Sequence, residues 1–454
     1  MTMKKLIRRI VWLLVLAIVV FVVIYAWPRA PIITAFAARG MCSGVFVMDR
    51  QPERISLEDL SFFPISLAKT KIDYEEKSVT ARVLGLAKRK AVFREGLGAV
   101  LVLDIPEEEL KFNAVTRPDP GYDPDTILWP KGDLIPASLP EGVDYDKLNT
   151  IVENSFDGAD AEPFKKTLAV AVVYDNVLIG EKYLEPSHEG TLFHGWSQAK
   201  SITNAMIGVM VKEGKLDINK PADIPEWKND GRNEITLDHL LHMTDGLHFV
   251  ENYFNISEVT RMLYTSDDMY QFSINNPLEH SPGTVWNYSG GTTNIMSGII
   301  RNTIGDDTEY YAFPYEKLLH RIGMLHTLFE TDGAGTFVGS SYCYASARDL
   351  GRFGLLYMND GIFAGDTIFQ LGWVDYSTEP AHGSQGQYGA QIWLQKKEGK
   401  YPEIPEDMFL IDGFQGQRVF VIPSKKLVVV RMGYSMKNFD MNEFLMGIIS
   451  TLPG

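Results

Sequence analysis

Two apolar hairpins, near opposite ends of the last two thirds of the sequence, constrain the fold more than any other feature. The first is a near-continuous apolar run, Thr167–Tyr174, with a turn at Asp175 and Asn176 and a return over Val177–Tyr183. The second occupies 416–423 and 427–432 and turns at Ser424, Lys425 and Lys426. Leu148, Ile151, Val152 and Phe156 set a helix over 145–156 before the first hairpin, and a closing helix over 441–452 follows the second. Between them, mixed helices and loops run to about residue 386, with a helix over 347–357. Helix, hairpin, long helical insertion, hairpin and helix describe an α+β fold. One antiparallel sheet is packed by helices from both chain ends, and the insertion forms a helical lobe with a cleft between.

Chemistry enters where the insertion begins, at Gly195-Trp196-Ser197-Gln198-Ala199-Lys200-Ser201. After Ser197 the apolar residues Ala199, Ile202, Ala205, Met206, Val209 and Met210 recur at helical spacing, and Gly214 reads as a stop. Ser197 therefore opens an amphipathic helix, with Lys200 one turn on and on the same face. That spacing brings an amine close to a hydroxyl at a helix N-terminus, which favours the negative charge of an alkoxide. A second Ser-x-x-Lys, Ser66 to Lys69, has no comparable helix behind it and is set aside.

A lysine-activated serine needs a second proton-transfer group and two backbone N–H donors aimed at the developing oxyanion. In 281–291 a Pro-Gly turn delivers Tyr288, and Gly290 and Gly291 allow close approach of another segment or a substrate. In 411–417, the entry to the last hairpin, an edge strand could present a backbone N–H to a substrate carbonyl. Taken singly, a tyrosine in a glycine-rich loop and a tight turn before a strand read as structural.

The remaining sequence sets the organisation. With 454 residues, 45% hydrophobic and 22% charged, the chain is ordinary globular material, long enough for two domains. Its net charge of -15 is unevenly placed: the first fifty residues hold seven Lys/Arg against the single acid Asp49, so the remainder carries −21. So acidic a body, without a basic stripe, argues against a nucleic-acid partner. Residues 10–27 form an apolar run of 18 behind Lys4, Lys5, Arg8 and Arg9, about 27 Å as a helix. The expectation is an uncleaved anchor with a cytoplasmic N-terminus over 1–9 and the rest of the chain outside the cytoplasm. Ala35-Phe36-Ala37 offers a rival signal-cleavage site, but it lies well beyond the run. Residues 28–115 read as a small β-rich module with strands near 44–48, 79–84 and 99–103. The proline-rich 116–143 reads as a stiff linker, and 144–454 as the main domain. Cys42 and Cys343 leave a disulfide open. His239 and His242 lack a third ligand and read as packing or capping groups, so neither metal nor cofactor is implied. Gly195-x-Ser197-x-Ala199 nearly matches a nucleophile elbow, but too short a strand precedes it. Tyr253 could line the cleft.

In order along the chain stand the Ser-x-x-Lys helix, the stretch 235–247, Pro282-Gly283-Thr284 with Tyr288-Ser289, and Gly413-Phe414-Gln415-Gly416-Gln417. This series resembles the penicillin-recognising serine hydrolases: class C β-lactamases, D-Ala-D-Ala carboxypeptidases, family VIII esterases and 6-aminohexanoate-dimer hydrolases. The wording around Ser197 and Phe414 is most similar to the last group. Over 144–454 the resemblance implies a β-lactamase/transpeptidase-like fold, Ser197 as nucleophile, Lys200 as its base and Tyr288 as the second-motif tyrosine. It also implies an oxyanion hole from the backbone N–H groups of Ser197 and Phe414, with Asp412 and Gln417 near the substrate. Two departures stand out. Gly290 replaces the asparagine of the lactamase Tyr-x-Asn motif, and Asp412-Gly413-Phe414 replaces a cationic third motif, so Asp412 would repel a β-lactam carboxylate.

The function expected is a serine hydrolase, held at the inner membrane by one helix with its catalytic domain outside the cytoplasm. It would cleave a small amide, ester or peptide through an acyl-enzyme. An unperturbed lysine, near 10.4, is a poor base at neutral pH, so Lys200 needs desolvation or a neighbouring cation. The alternative is a non-catalytic membrane-tethered protein that binds a peptide or peptidoglycan on the same fold.

Overall fold

The computed structural model describes residues 3–112, 115–158, 164–396, 399–435 and 438–453. It divides into two compact units. The first comprises Met1–Arg94, Gly98–Asn113 and Glu251–Asp267; the second comprises Glu95–Leu97, Ala114–Val250 and Asp268–Gly454.

In the first unit a helix, Met3–Phe21, runs through a π-helical stretch, Val22–Ala26, into a second helix, Trp27–Phe46. A short helix, Pro52–Glu58, leads to a four-stranded antiparallel sheet in sequence order: β1 (Lys69–Asp73), β2 (Ser78–Val83), β3 (Ala87–Arg94) and β4 (Gly98–Val102). Two expectations change here. The segment near 44–48 is the end of a helix rather than a strand. Alanines at 35, 37 and 38 are strong helix formers and carry the helix forward until Ser43 O takes the N–H groups of Val47 and Met48.

The membrane anchor is also overturned, and with it the inner-membrane placement: among the described residues no helix is long and apolar enough to cross a membrane. The 18-residue run is divided among three elements. The first helix spends its opening turns on Lys4, Lys5, Arg8 and Arg9 and ends at Phe21, the π-helical stretch takes the next five residues, and Trp27 opens the second helix.

The second unit is built on a six-stranded antiparallel sheet: β5 (Thr167–Tyr174), β6 (Val177–Tyr183), β7 (Trp393–Leu394), β8 (Phe409–Gly413), β9 (Gln417–Ile422) and β10 (Leu427–Gly433). The strand order is β7-β8-β9-β10-β5-β6. The two hairpins are joined by β10 against β5, with Leu427 opposite Tyr174 and Met432 opposite Ala169. Asp175 and Asn176 both take left-handed angles (φ 47° and 66°), the pair of values a two-residue hairpin needs. The apolar run of β5 follows from burial on both faces. Ala169, Ala171 and Val173 enter the core shared with the helical insertion. Val170 and Val172 enter the core beneath the helices Tyr145–Asn154 and Met441–Ile449.

The proline-rich stretch is packed into the second unit instead of spanning a gap. Trp129 is buried in the main core and donates from Nε1 to Asn176 O (3.0 Å). Arg352, on the helix Ala347–Met358, donates to Pro130 O (2.7 Å), Gly132 O (2.8 Å), Asp133 Oδ1 (2.6 Å) and Asp349 Oδ1 (3.0 Å).

Candidate active site

The helix Gln198–Lys212 runs through the core, and every residue from Gln198 to Met210 is buried. The amphipathic pattern expected from its apolar spacing is therefore completed by buried polar residues with partners. Ser201 Oγ donates to Gln391 O (2.7 Å), Thr203 Oγ1 to Ala199 O (3.0 Å) and Asn204 Nδ2 to Ala390 O (2.9 Å). Anchored along its length, the helix presents its N-terminus as a fixed point.

Ser197 is the N-cap of this helix (φ −64°, ψ −7°). The preceding Trp196 has φ 51°, an uncommon conformation for a bulky residue that persists only when the surroundings impose it. Here the Trp196 ring stacks on His194 (centroids 3.9 Å apart) and His194 stacks on Tyr344 (4.6 Å). His194 Nε2 donates to Ser341 O (2.8 Å), and Gly195 N donates to Cys343 O (2.9 Å).

Lys200 is 1% exposed. Its Nζ donates to Ser340 O (2.8 Å) and to Ser197 Oγ (3.3 Å), and it lies 4.9 Å from the centroid of the Tyr288 ring. Tyr288 is half-buried and packs on Tyr388 (5.6 Å) and Trp393 (5.3 Å). The next residue, Ser289, caps the helix Gly290–Ile304 by accepting from Thr292 N (3.0 Å), which fixes the turn carrying the tyrosine. One short segment of space thus holds a hydroxyl, an amine and a phenol, the components of nucleophilic acyl transfer.

The end of β8 completes the surroundings. A Cβ on Gly413 would lie 2.1 Å from Gly195 O, so only glycine allows the strand so close to the serine turn. The chain then turns through Gln415 (φ 63°) and Gly416 (φ 93°), and the Phe414 ring meets Trp196 edge-on at 5.5 Å.

The other residues singled out in the sequence fall elsewhere or are otherwise engaged. Asp412 is paired with Arg418 on the neighbouring strand; burial raises its carboxyl pKa, and the guanidinium works against that. Gln417 is buried, and both ends of its amide are taken up by Gly433, donating to its O (2.6 Å) and accepting from its N (3.0 Å). Tyr253 lies in the first unit, where its hydroxyl donates to Glu251 Oε1 (2.8 Å). Ser66 sits exposed in a 3-10 turn, Ile65–Leu67, and Lys69 opens β1. His239 Nδ1 accepts from Thr236 N (3.2 Å) in a capping box, and His242 Nδ1 contacts Asp238 Oδ1 (3.0 Å). Among the described residues no group of side chains is arranged to hold a metal ion. Cys42 and Cys343 are both buried and not joined in a disulfide, and burial pushes the Cys343 thiol well up.

Sequence reasoning missed Ser340, whose carbonyl accepts from Lys200 Nζ, Asn294 behind it, and the aromatic neighbours His194, Tyr388 and Trp393. The small-residue run Gly339-Ser340-Ser341 was the only hint of a close backbone approach there.

The Beta-lactamase family model matches residues 156–443. The chain belongs to the Beta-lactamase family. It is thereby a β-lactamase-related serine hydrolase by family. Solved structures of the same fold include a Bacillus anthracis protein described as a 6-aminohexanoate-dimer hydrolase, 23% identical, with a TM-score of 0.55, over 72% of this chain and 87% of that one. A family VIII carboxylesterase is 15% identical, with a TM-score of 0.54, over 68% of this chain and 96% of its own. A penicillin-binding protein homologue from Caulobacter crescentus is 15% identical, with a TM-score of 0.52, over 70% of this chain and 100% of its own. At these identities the likeness establishes the α+β β-lactamase/transpeptidase-like fold. No curated protein matches the chain.

Proposed function

We propose that this family member hydrolyses a small ester or linear amide through an acyl-enzyme on Ser197. The observation that carries the reading is the hydrogen bond from buried Lys200 to Ser197 Oγ (3.3 Å) at the N-terminus of a buried helix. Lys200, in its neutral form, takes the Ser197 proton as Oγ attacks the substrate carbonyl. The backbone N–H groups of Ser197 and Phe414 receive the oxyanion; the Gly413–Gly195 approach supports that pairing. As the tetrahedral intermediate collapses, the carbon–leaving-group bond breaks, Tyr288 passes a proton to the departing oxygen or nitrogen, and the proton that Lys200 took from Ser197 restores the phenol. Water then attacks the ester on Ser197, returns the free acid and restores the hydroxyl.

The names of the structural neighbours, a 6-aminohexanoate-dimer hydrolase and a family VIII carboxylesterase among them, agree with amide and ester substrates. β-Lactams fit less well. Gly290 has no side chain to offer, and the nearby cation Arg418 is already engaged by Asp412. Stopped-flow mixing with a chromogenic short-chain ester tests the reading. A burst of released alcohol equal to the enzyme concentration is expected; binding without a burst would favour a non-catalytic peptide binder.

A further inference from the structure

Lys200 Nζ lies nearer to Ser340 O (2.8 Å) than to Ser197 Oγ (3.3 Å), so the resting place of the amine depends on where residue 340 is held. Residue 340 is held from the helix that follows Tyr288. Asn294 is 1% exposed, and its Oδ1 accepts from Ser340 N at 3.1 Å. Thr203 Oγ1 donates to Gly339 O (3.3 Å) and braces the same peptide from the helix bearing Lys200. Asn294 stands four residues after Gly290, one turn on and on the same helix face. Gly290 has no side chain to reach the amine; Asn294, a turn deeper, reaches it through the main chain of residue 340.

From this chain of contacts we infer that Asn294 is a positioning residue for the proposed general base. By fixing Ser340 it places the Lys200 amine between the Ser197 hydroxyl and the Tyr288 ring. A buried carbonyl is a better positioner than a flexible side chain, provided its own backbone is pinned, and the Asn294 oxygen supplies the pin. The inference rests on the Ser197–Lys200 reading. It assigns to Asn294 no contact with substrate, so its loss falls on the acylation step and spares ground-state binding.

The test is pre-steady-state acylation of the full chain by a p-nitrophenyl ester, with kcat and KM measured separately. Asn294→Leu keeps the bulk and removes the acceptor. Because a misplacement of about 1 Å costs on the order of 10²-fold, its acylation rate and kcat are expected to fall at least about 10-fold with KM nearly unchanged. Asn294→Asp keeps an oxygen on Ser340 N–H; because a carboxylate there also favours the protonated lysine, its rate is read on the high-pH plateau of the pH profile, where it is expected to recover most of the loss. Should Asn294→Leu not fold, Asn294→Ala removes the same acceptor with a smaller side chain. Acylation by the Leu or Ala variant within twofold of wild type would overturn the inference, as would a loss confined to KM or a folded Asp variant no better than Leu. Failure of the wild-type chain to acylate would instead refute the acyl-enzyme reading itself.

Discussion

At the scale of single residues, the proposed site is one hydroxyl, one buried amine and one phenol, and each has a separate expected signature. Lys200→Gln preserves much of the bulk and removes the base. It should slow acylation by roughly 10²–10⁴-fold, the range a positioned general base supplies. Tyr288→Phe keeps the ring that lies 4.9 Å from Lys200 and removes only the hydroxyl. Its loss should be smaller for activated esters, whose leaving groups need no proton, than for amides. Comparing a p-nitrophenyl ester with the matching anilide checks this. Ser197 and Lys200 were legible in the sequence because helical spacing ties the two together. Ser340 and Asn294 were not, because they act through a main-chain carbonyl that no residue type announces. Asp412 was legible as a charge, but not as one half of an ion pair, because its partner Arg418 stands across the β8–β9 turn in register. With that cation engaged, nitrocefin turnover should fall at least about 10²-fold below that of a short-chain ester. A carboxylate left without a partner in a site costs about 2–5 kcal/mol.

At the scale of elements, the hairpins and terminal helices of the second unit were readable because β5 and β10 are apolar on both faces, whereas the packing of the proline-rich stretch was hidden. Prolines announce an extended path, but not that Trp129 would enter the core or that Arg352 would bind three groups of the same segment. Replacing Arg352 by Leu leaves buried Asp349 without its ion-pair partner and Asp133 with the more distant Arg348 alone (3.6 Å). It should destabilise the chain by about 3–5 kcal/mol in urea unfolding. The same pair predicts an acid limb. Burial would raise Asp133, but the charge and hydrogen bond of Arg352, helped by Arg348, outweigh it and hold the carboxyl low. A carboxyl depressed in the folded state adds stability above its unfolded value, near 3.9, and that stability is lost as pH falls through the folded value. Asp133→Asn should therefore be less stable than wild type at pH 6, and the difference should close as the pH is lowered below about 4.

At the scale of the whole molecule, the division into units departs from a simple series of segments. The second unit takes in 115–143, and the first takes in Glu251–Asp267 from within the helical insertion. No local pattern in the sequence signals that exchange, since it is set by tertiary packing. The apolar N-terminal run misled for a related reason: hydropathy sums over residues regardless of where a helix stops, and here the first helix stops at Phe21. A fragment beginning at residue 115 keeps Trp129, Pro130 and Asp133, and in a thermal scan should melt above one beginning at 144, which loses them. The central claim, an acyl-enzyme on Ser197, is tested most directly by intact-protein mass spectrometry after treatment with a fluorophosphonate, followed by peptide mapping. One adduct per chain is expected, on the peptide containing Ser197; it should be absent from Ser197→Ala and undiminished in Ser66→Ala. An unmodified wild-type chain, or an adduct that survives in Ser197→Ala, would contradict it.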